Sequence, residues 1–201
     1  MTGSCCSFAL KRRFDRCRFF APCLTLSSQL GFVGNLTRDV YHQRRHLLEE
    51  AERALGLTVT KTDSGTDYLH ALNNIRFFLS ADIGFDEYMV KNFEAMACGC
   101  LLIAYDHVTT ENQALGLRDM ENVVLYQDIA ILTQKWQQLM SNPEMAATIA
   151  TKGQKLAEER FKFETIGKQI VDEITVDGKV VPLHNQHSTS ILDYFRYSFY
   201  R

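Results

Sequence analysis

The chain has 201 residues, of which 46% are hydrophobic and 23% charged, with a formal net charge of −2. That length suits one domain with extensions, and a pI near 6.3 argues against a nucleic-acid binder, which would carry a basic surface. No apolar run approaches the roughly 20 residues of a membrane helix, and no apolar block follows Lys11, Arg12 and Arg13 as a signal peptide would require.

The cysteines (Cys5, Cys6, Cys17, Cys23, Cys98 and Cys100) contain no C-x-x-C pair and have no histidines at zinc-ligand spacing beside them. Reduced thiols, no bound metal and a cytoplasmic protein, peripheral to a membrane at most, are the expectation.

In chain order, residues 1–29 are irregular. A short edge strand fits within Phe14 to Phe20, stopped by Pro22. The segment reads as the remnant of a connection to an upstream domain. Regular structure begins at Leu30-Gly31-Phe32-Val33-Gly34-Asn35, a strand ending in a glycine turn, with Thr37 or Asp39 as cap of the next helix. That helix, about Val40 to Leu55, groups Leu47, Leu48, Ala51 and Leu55 on one side and turns Glu49, Glu50, Glu52 and Arg53 outward. Gly56 stops it before a strand at Leu57–Thr60. Asp63-Ser64-Gly65 is a turn, Asp67–Leu72 a short helix and Ile75–Leu79 a third strand. Strands alternating with helices predict a parallel sheet with helical crossovers.

The stretch Lys91–Gly99 reads as a short helix ended by Gly99, then a buried strand at Leu101–Tyr105. The helical period places Val90, Phe93 and Ala97 on one face, expected to pack inward. Val123–Tyr126 is a fifth strand, followed by helices near Asp128–Met140, Pro143–Arg160 and Phe163–Glu173. Trp136, Leu132 and Leu139 form a helix face that suits packing on the sheet. Asp177-Gly178 signals a hairpin within Thr175–Val181, and an aromatic tail follows from Tyr194. The divisions are 1–29 (irregular), 30–174 (a Rossmann-like domain) and 175–201 (hairpin and tail).

Ligands of open parallel sheets bind beyond the carboxyl ends of the strands, where loops feed helix N-termini. Three places qualify. The Gly34-Asn35 turn allows close backbone approach, and Arg38, with Arg44 or Arg45 further on, could pair with phosphate. It is neither a G-x-G-x-x-G nor a Walker sequence, which disfavours nicotinamide. The loop Ala81–Glu87 carries Asp82, Asp86 and Glu87, which as loop carboxylates need no function. The helix start carries Lys91 and Glu94: a carboxylate there can accept both hydroxyls of a ribose, and a lysine can neutralise a diphosphate. A surface Lys91–Glu94 pair on an ordinary αβ unit accounts for the same two residues. His107 after the fourth strand, with Thr109, Thr110 and Glu111, occupies similar ground, and helix capping explains the last three equally well.

Phe93-Glu94-Ala95-Met96-Ala97-Cys98-Gly99 before an apolar strand resembles the donor-binding signature of two-Rossmann-domain (GT-B) glycosyltransferases. The basic Lys91, separated by one intervening position from F-E-A-x-A-x-G, is similar to the group-1-like branch that includes spore-maturation-type enzymes. Gly31–Asn35, Glu121–Asp128, Asn142-Pro143-Glu144 and Ile149–Gly153 resemble further segments of that family in the same order, across about Leu30 to Ile174.

The resemblance implies an α/β fold with one Rossmann-like parallel sheet flanked by helices and a helical C-terminal part, the C-terminal half of a GT-B enzyme. It implies a nucleotide-diphosphate sugar as donor, transfer to a glycan, lipid or protein acceptor, and no metal cofactor. Glu94 would hold the donor ribose as the second glutamate of an E-x7-E pair whose first position is Asp86 here. Lys91, Gly34 and Asn35 would face the diphosphate, with Arg38 and Thr110 as looser donor contacts. An acceptor domain would come from a partner chain or a second copy, and catalytic acid–base groups are not assignable. The competing reading is a non-catalytic module that docks on a partner through its half-cleft and aromatic tail. A flavodoxin-like or receiver domain fits the alternation but would need an acidic pocket after the first strand.

Overall fold

The computed structural model describes residues 28–36, 41–81, 88–107, 109–176 and 179–180. They fall into two units, one through Ala157 and one from Glu158.

The first unit is built on five strands: β1 (Ser28–Val33), β2 (Thr58–Thr60), β3 (Ile75–Leu79), β4 (Leu101–Tyr105) and β5 (Val124–Tyr126). All pair in parallel, in the order β2-β1-β3-β4-β5. Leu30 lies opposite Phe77, Phe78 opposite Leu102 and Ile103 opposite Val124. The apolar side chains from Leu101 through Ala104 are almost fully buried, as expected of a central parallel strand covered on both faces. The edge strand β2 is short and leaves Thr58 and Val59 exposed, which limits pairing with another chain.

The connecting helices are α1 (His42–Leu55), α2 (Thr66–Asn73), α3 (Val90–Ala97), α4 (Thr109–Leu115), α5 (Ile129–Ser141) and α6 (Pro143–Arg160). In α1 the expected face is buried at Leu47, Leu48 and Ala51, and Arg44 joins it. Thr37 and Asp39, the expected caps, lie outside the described residues; Tyr41 takes the N-cap position without a side-chain cap bond. Asp128 does cap α5, accepting from the Ile131 N–H at 2.7 Å. Trp136 on α5 meets Phe77 edge-on with ring centroids 5.0 Å apart, so its packing role on the sheet holds.

One expected face is wrong. On α3 the buried residues are Asn92, Ala95 and Met96, while Val90 is 65% exposed. The cause is polar: the Ser80 hydroxyl donates to Asn92 Oδ1 at 2.6 Å, and the Tyr126 hydroxyl donates to the Ser80 carbonyl at 2.6 Å. An amide satisfied inside the core can take the innermost position of a helix, which apolar periodicity does not foresee. Gly99, at φ 80°, ends α3 where its left-handed conformation requires glycine. The Gln154 side chain of α6 donates to the Ala97 carbonyl at 2.9 Å, and a Cβ on Gly153 would stand 2.6 Å from the Asn122 carbonyl oxygen. Gly153 therefore permits the close seat of α6 against the turn before β5.

In the second unit, α7 (Phe163–Ile174) leads into an antiparallel pair, β6 (Thr175–Val176) with β7 (Lys179–Val180). The antiparallel pairing expected of a hairpin is present; Asp177 and Gly178, the aromatic tail and residues 14–20 lie outside the described residues. Among the described residues, no helix is long and apolar enough to cross a membrane.

Candidate functional site

The chain leaves β1 for β2 on one side and returns to β3 on the other, so the connections diverge at the carboxyl ends of β1 and β3. Such a switch point opens a crevice between the loops. Early residues of α1, α2 and α3 converge there.

Lys91, in the first turn of α3, crosses to β1 and donates from Nζ to the Val33 carbonyl at 3.0 Å. Gly34 leaves room for it, since a Cβ there would lie 3.1 Å from that ammonium and 2.8 Å from the Phe32 ring. The Gly34 N–H donates to the Thr60 carbonyl at 3.0 Å. Arg44 of α1, buried, donates from Nε to the Ala81 carbonyl just beyond β3 at 2.8 Å and lies over the Tyr41 ring. Burial, then the Arg44 charge, depress the Lys91 pKa below its ordinary 10.5, while Glu94 pulls the other way. The Lys91 ammonium is thus partly desolvated and within the field of the Arg44 charge, a setting that an anion would relieve.

Glu94, one turn along α3, does not pair with Lys91 within 4 Å; its Oε2 accepts from the Tyr68 hydroxyl of α2 at 2.6 Å. The Tyr68 pKa is raised by burial and then by the Glu94 hydrogen bond and charge, so the phenol stays a donor. The Tyr68 ring also faces Lys91, with Nζ 5.9 Å from its centroid. The surface ion pair that the sequence allowed is replaced by two long-range contacts. Among the described residues, Val33 is the one hydrogen-bond acceptor of Lys91 and Tyr68 the one donor to Glu94. An ammonium has three donors and a carboxylate about four lone-pair positions, so both keep capacity for a ligand.

Of the residues singled out in the sequence, Lys91, Gly34, Glu94 and Arg44 come together here, whereas Arg45 lines a separate cavity. Asn35 is exposed beside Gly34, and Thr110 is exposed on α4. Arg38 and Asp86, with Asp82 and Glu87, lie outside the described residues. Tyr68 was missed. Its one sequence signal is its place in the first turn of a helix after a strand, the position Lys91 also holds.

A second polar cluster occupies the carboxyl ends of β4 and β5. The Tyr88 hydroxyl donates to Asn112 Oδ1, Asn112 Nδ2 donates to Asp106 Oδ1 at 2.7 Å, and Gln127 Nε2 donates to Asp106 Oδ2 at 3.2 Å. His107 stands edge-on to Tyr88 and Tyr105, at 4.9 and 5.3 Å between centroids. A cavity of about 520 Å³ lies elsewhere, lined by Leu36, Arg45, Leu48, Glu49, Glu52 and Val59, and shares no residue with either cluster. Among the described residues, no three His, Cys, Asp or Glu side chains converge as a metal site would need.

A family model described as "Glycosyl transferase-like" matches residues 37–172, more than half of the chain. A sucrose-phosphate synthase from Thermosynechococcus elongatus superposes with TM-score 0.54 at 21% identity, over 72% of this chain and 37% of that one. The C-terminal domain of a glycosyl transferase group 1 family protein (LpcC) from Francisella tularensis gives TM-score 0.52 at 15% identity, over 78% of this chain and 98% of that domain. TarM gives 0.50 at 15% identity, over 74% and 35%. The chain thus spans little more than a third of the sucrose-phosphate synthase and of TarM, and nearly all of the LpcC domain. No curated protein matches the chain. The shared fold is that of GT-B glycosyltransferase C-terminal domains.

Proposed function

The chain belongs to the glycosyl transferase-like family, and on that premise we propose that its β1/β3 crevice grips a nucleotide-diphosphate sugar for glycosyl transfer. The observation that carries this reading is the placing of Lys91 and Glu94 one turn apart on α3 at the switch point, each with bonding capacity unused among the described residues. In this reading Glu94 accepts the ribose hydroxyls, and Lys91 faces the diphosphate from beside Gly34. Negative charge grows on the diphosphate as the glycosyl bond breaks, and a preplaced ammonium stabilises it. Asn35 and Arg38 extend the diphosphate side, with Asp86 and Thr110 toward the sugar. The acceptor (glycan, lipid or protein) is met by a second domain, from a partner chain or another copy, which also supplies acid–base groups. No metal takes part in the grip, and the setting is cytoplasmic. Lys91, separated by one intervening residue from Phe93-Glu94, supports a place in the spore-maturation-type branch.

Calorimetric titration of the full chain with uridine and guanosine diphosphates tests the reading. Weak saturable binding to at least one is expected, unchanged by a chelator. No heat with either nucleotide overturns the reading, and loss of binding on chelation overturns its metal-free form.

A further inference from the structure

Glu94 is a long side chain with several rotatable bonds on a half-buried helix face. Free, it would lose rotamer entropy each time it ordered around a ligand. The fold has already restrained it. Tyr68 comes from α2, after β2, and donates to Oε2 at 2.6 Å across 26 residues of sequence. Tyr68 is half-buried, and its ring faces Lys91 from the same position. One side chain therefore touches both members of the proposed grip through different atoms: the hydroxyl on the carboxylate, the ring face on the ammonium.

We infer that Tyr68 is a positioning residue, whose hydroxyl holds the Glu94 carboxylate in the orientation that accepts a ribose diol. With Oε2 engaged by the phenol, the remaining lone pairs of the carboxylate point where a vicinal diol can use them. Tyr68 thereby contributes to discrimination between ribonucleotides and nucleotides that lack the diol. This inference rests on the proposed reading of the crevice and adds a residue to it.

The test uses Tyr68→Phe, which keeps the ring over Lys91 and removes the hydroxyl alone. Calorimetry compares whichever nucleoside diphosphate binds the wild type with its 2′,3′-dideoxy analogue. The expected result is about fivefold to tenfold weaker binding of the ribonucleotide and no change for the dideoxy analogue. In a Glu94→Ala background the same substitution should have no effect, as a double-mutant cycle requires of a residue acting through another. Equal weakening of both ligands marks a merely structural role and overturns the inference. Unchanged ribonucleotide binding overturns it too, and tighter binding shows instead that the phenol occupies the diol's place. If Glu94→Ala weakens binding and Tyr68→Phe does not, the crevice reading survives and only the role of Tyr68 falls. If the wild type binds neither nucleotide, both fall. Should Tyr68→Phe prove unstable, tyrosine-labelled wild type serves: its Tyr68 ring resonances should move more with the ribonucleotide than with the dideoxy analogue, and equal movement overturns the inference.

Discussion

Two polar clusters sit at carboxyl ends of the same sheet, and they are built on opposite plans. Around Asp106 both carboxylate oxygens accept hydrogen bonds, from Asn112 and Gln127, and Tyr88 engages the Asn112 carbonyl. Each of those groups has a partner of matching kind, so the cluster ties α4 to the ends of β4 and β5 and leaves little for a ligand. Around Lys91 a partly desolvated ammonium lies within the field of the Arg44 charge, and one carboxylate is engaged through a single oxygen by Tyr68. A closed network rigidifies, whereas an open one carries bonding capacity and charge that a diphosphate nucleotide could meet.

The largest effect should come from the open cluster. Glu94→Ala is expected to weaken nucleoside diphosphate binding by about tenfold to a hundredfold, the range for a hydrogen bond to a charged group, with little change in the unfolding midpoint. Calorimetry and denaturant unfolding on the same sample measure both; an unfolding shift without an affinity loss would erase the contrast between the clusters. Asn112→Leu should do the reverse. It strips buried Tyr88 and Asp106 of an amide partner and should cost about 1–3 kcal/mol of stability, with nucleotide affinity unchanged wherever the protein is folded.

Ser80 joins the two regions, since its carbonyl accepts from Tyr126 and its hydroxyl donates to Asn92 on the helix that carries Lys91 and Glu94. Ser80→Ala should cost about 1 kcal/mol of stability and shift affinity by less than about threefold. A larger affinity loss would mean that the seat of α3 is tuned more finely than a single hydrogen bond suggests.

The smallest effect concerns pH. The Lys91 pKa is depressed on folding, so between its folded value and the ordinary 10.5 the unfolded chain binds more protons and stability rises with pH. The penalty of holding the charged ammonium is full at neutral pH and fades as pH climbs through the folded value. Lys91 is only partly buried and solvent screens its charge, so the change is modest. Unfolding curves at pH 7 and pH 10 should show the wild type gaining stability relative to Lys91→Gln; a constant difference would mean that Arg44 and burial do not press on Lys91.

Much of the fold is legible because it is local. The glycine stops at Gly56 and Gly99 and the run of buried residues at Leu101–Ala104 are each decided within a few residues. Glu94 and Lys91 could be singled out for the same reason: both sit in a short segment whose pattern is unusual for a core helix.

What they touch could not be read that way. Lys91 reaches Val33 across 58 residues, Arg44 reaches Ala81 across 37, and Tyr68 reaches Glu94 across 26. These contacts exist because the strand order reverses at β1 and β3, and sequence carries no local trace of that reversal. The inward face of α3 was also misread. Helical period ranks positions by apolarity, and only the tertiary partner Ser80 makes Asn92 the residue that belongs inside. By itself the sequence determined the strands, the helices and their parallel alternation, because period, caps and glycine act over a turn or two. The tertiary structure alone decided which side chains meet at the crevice, because hydrogen bonds between distant elements depend on where the sheet places their ends.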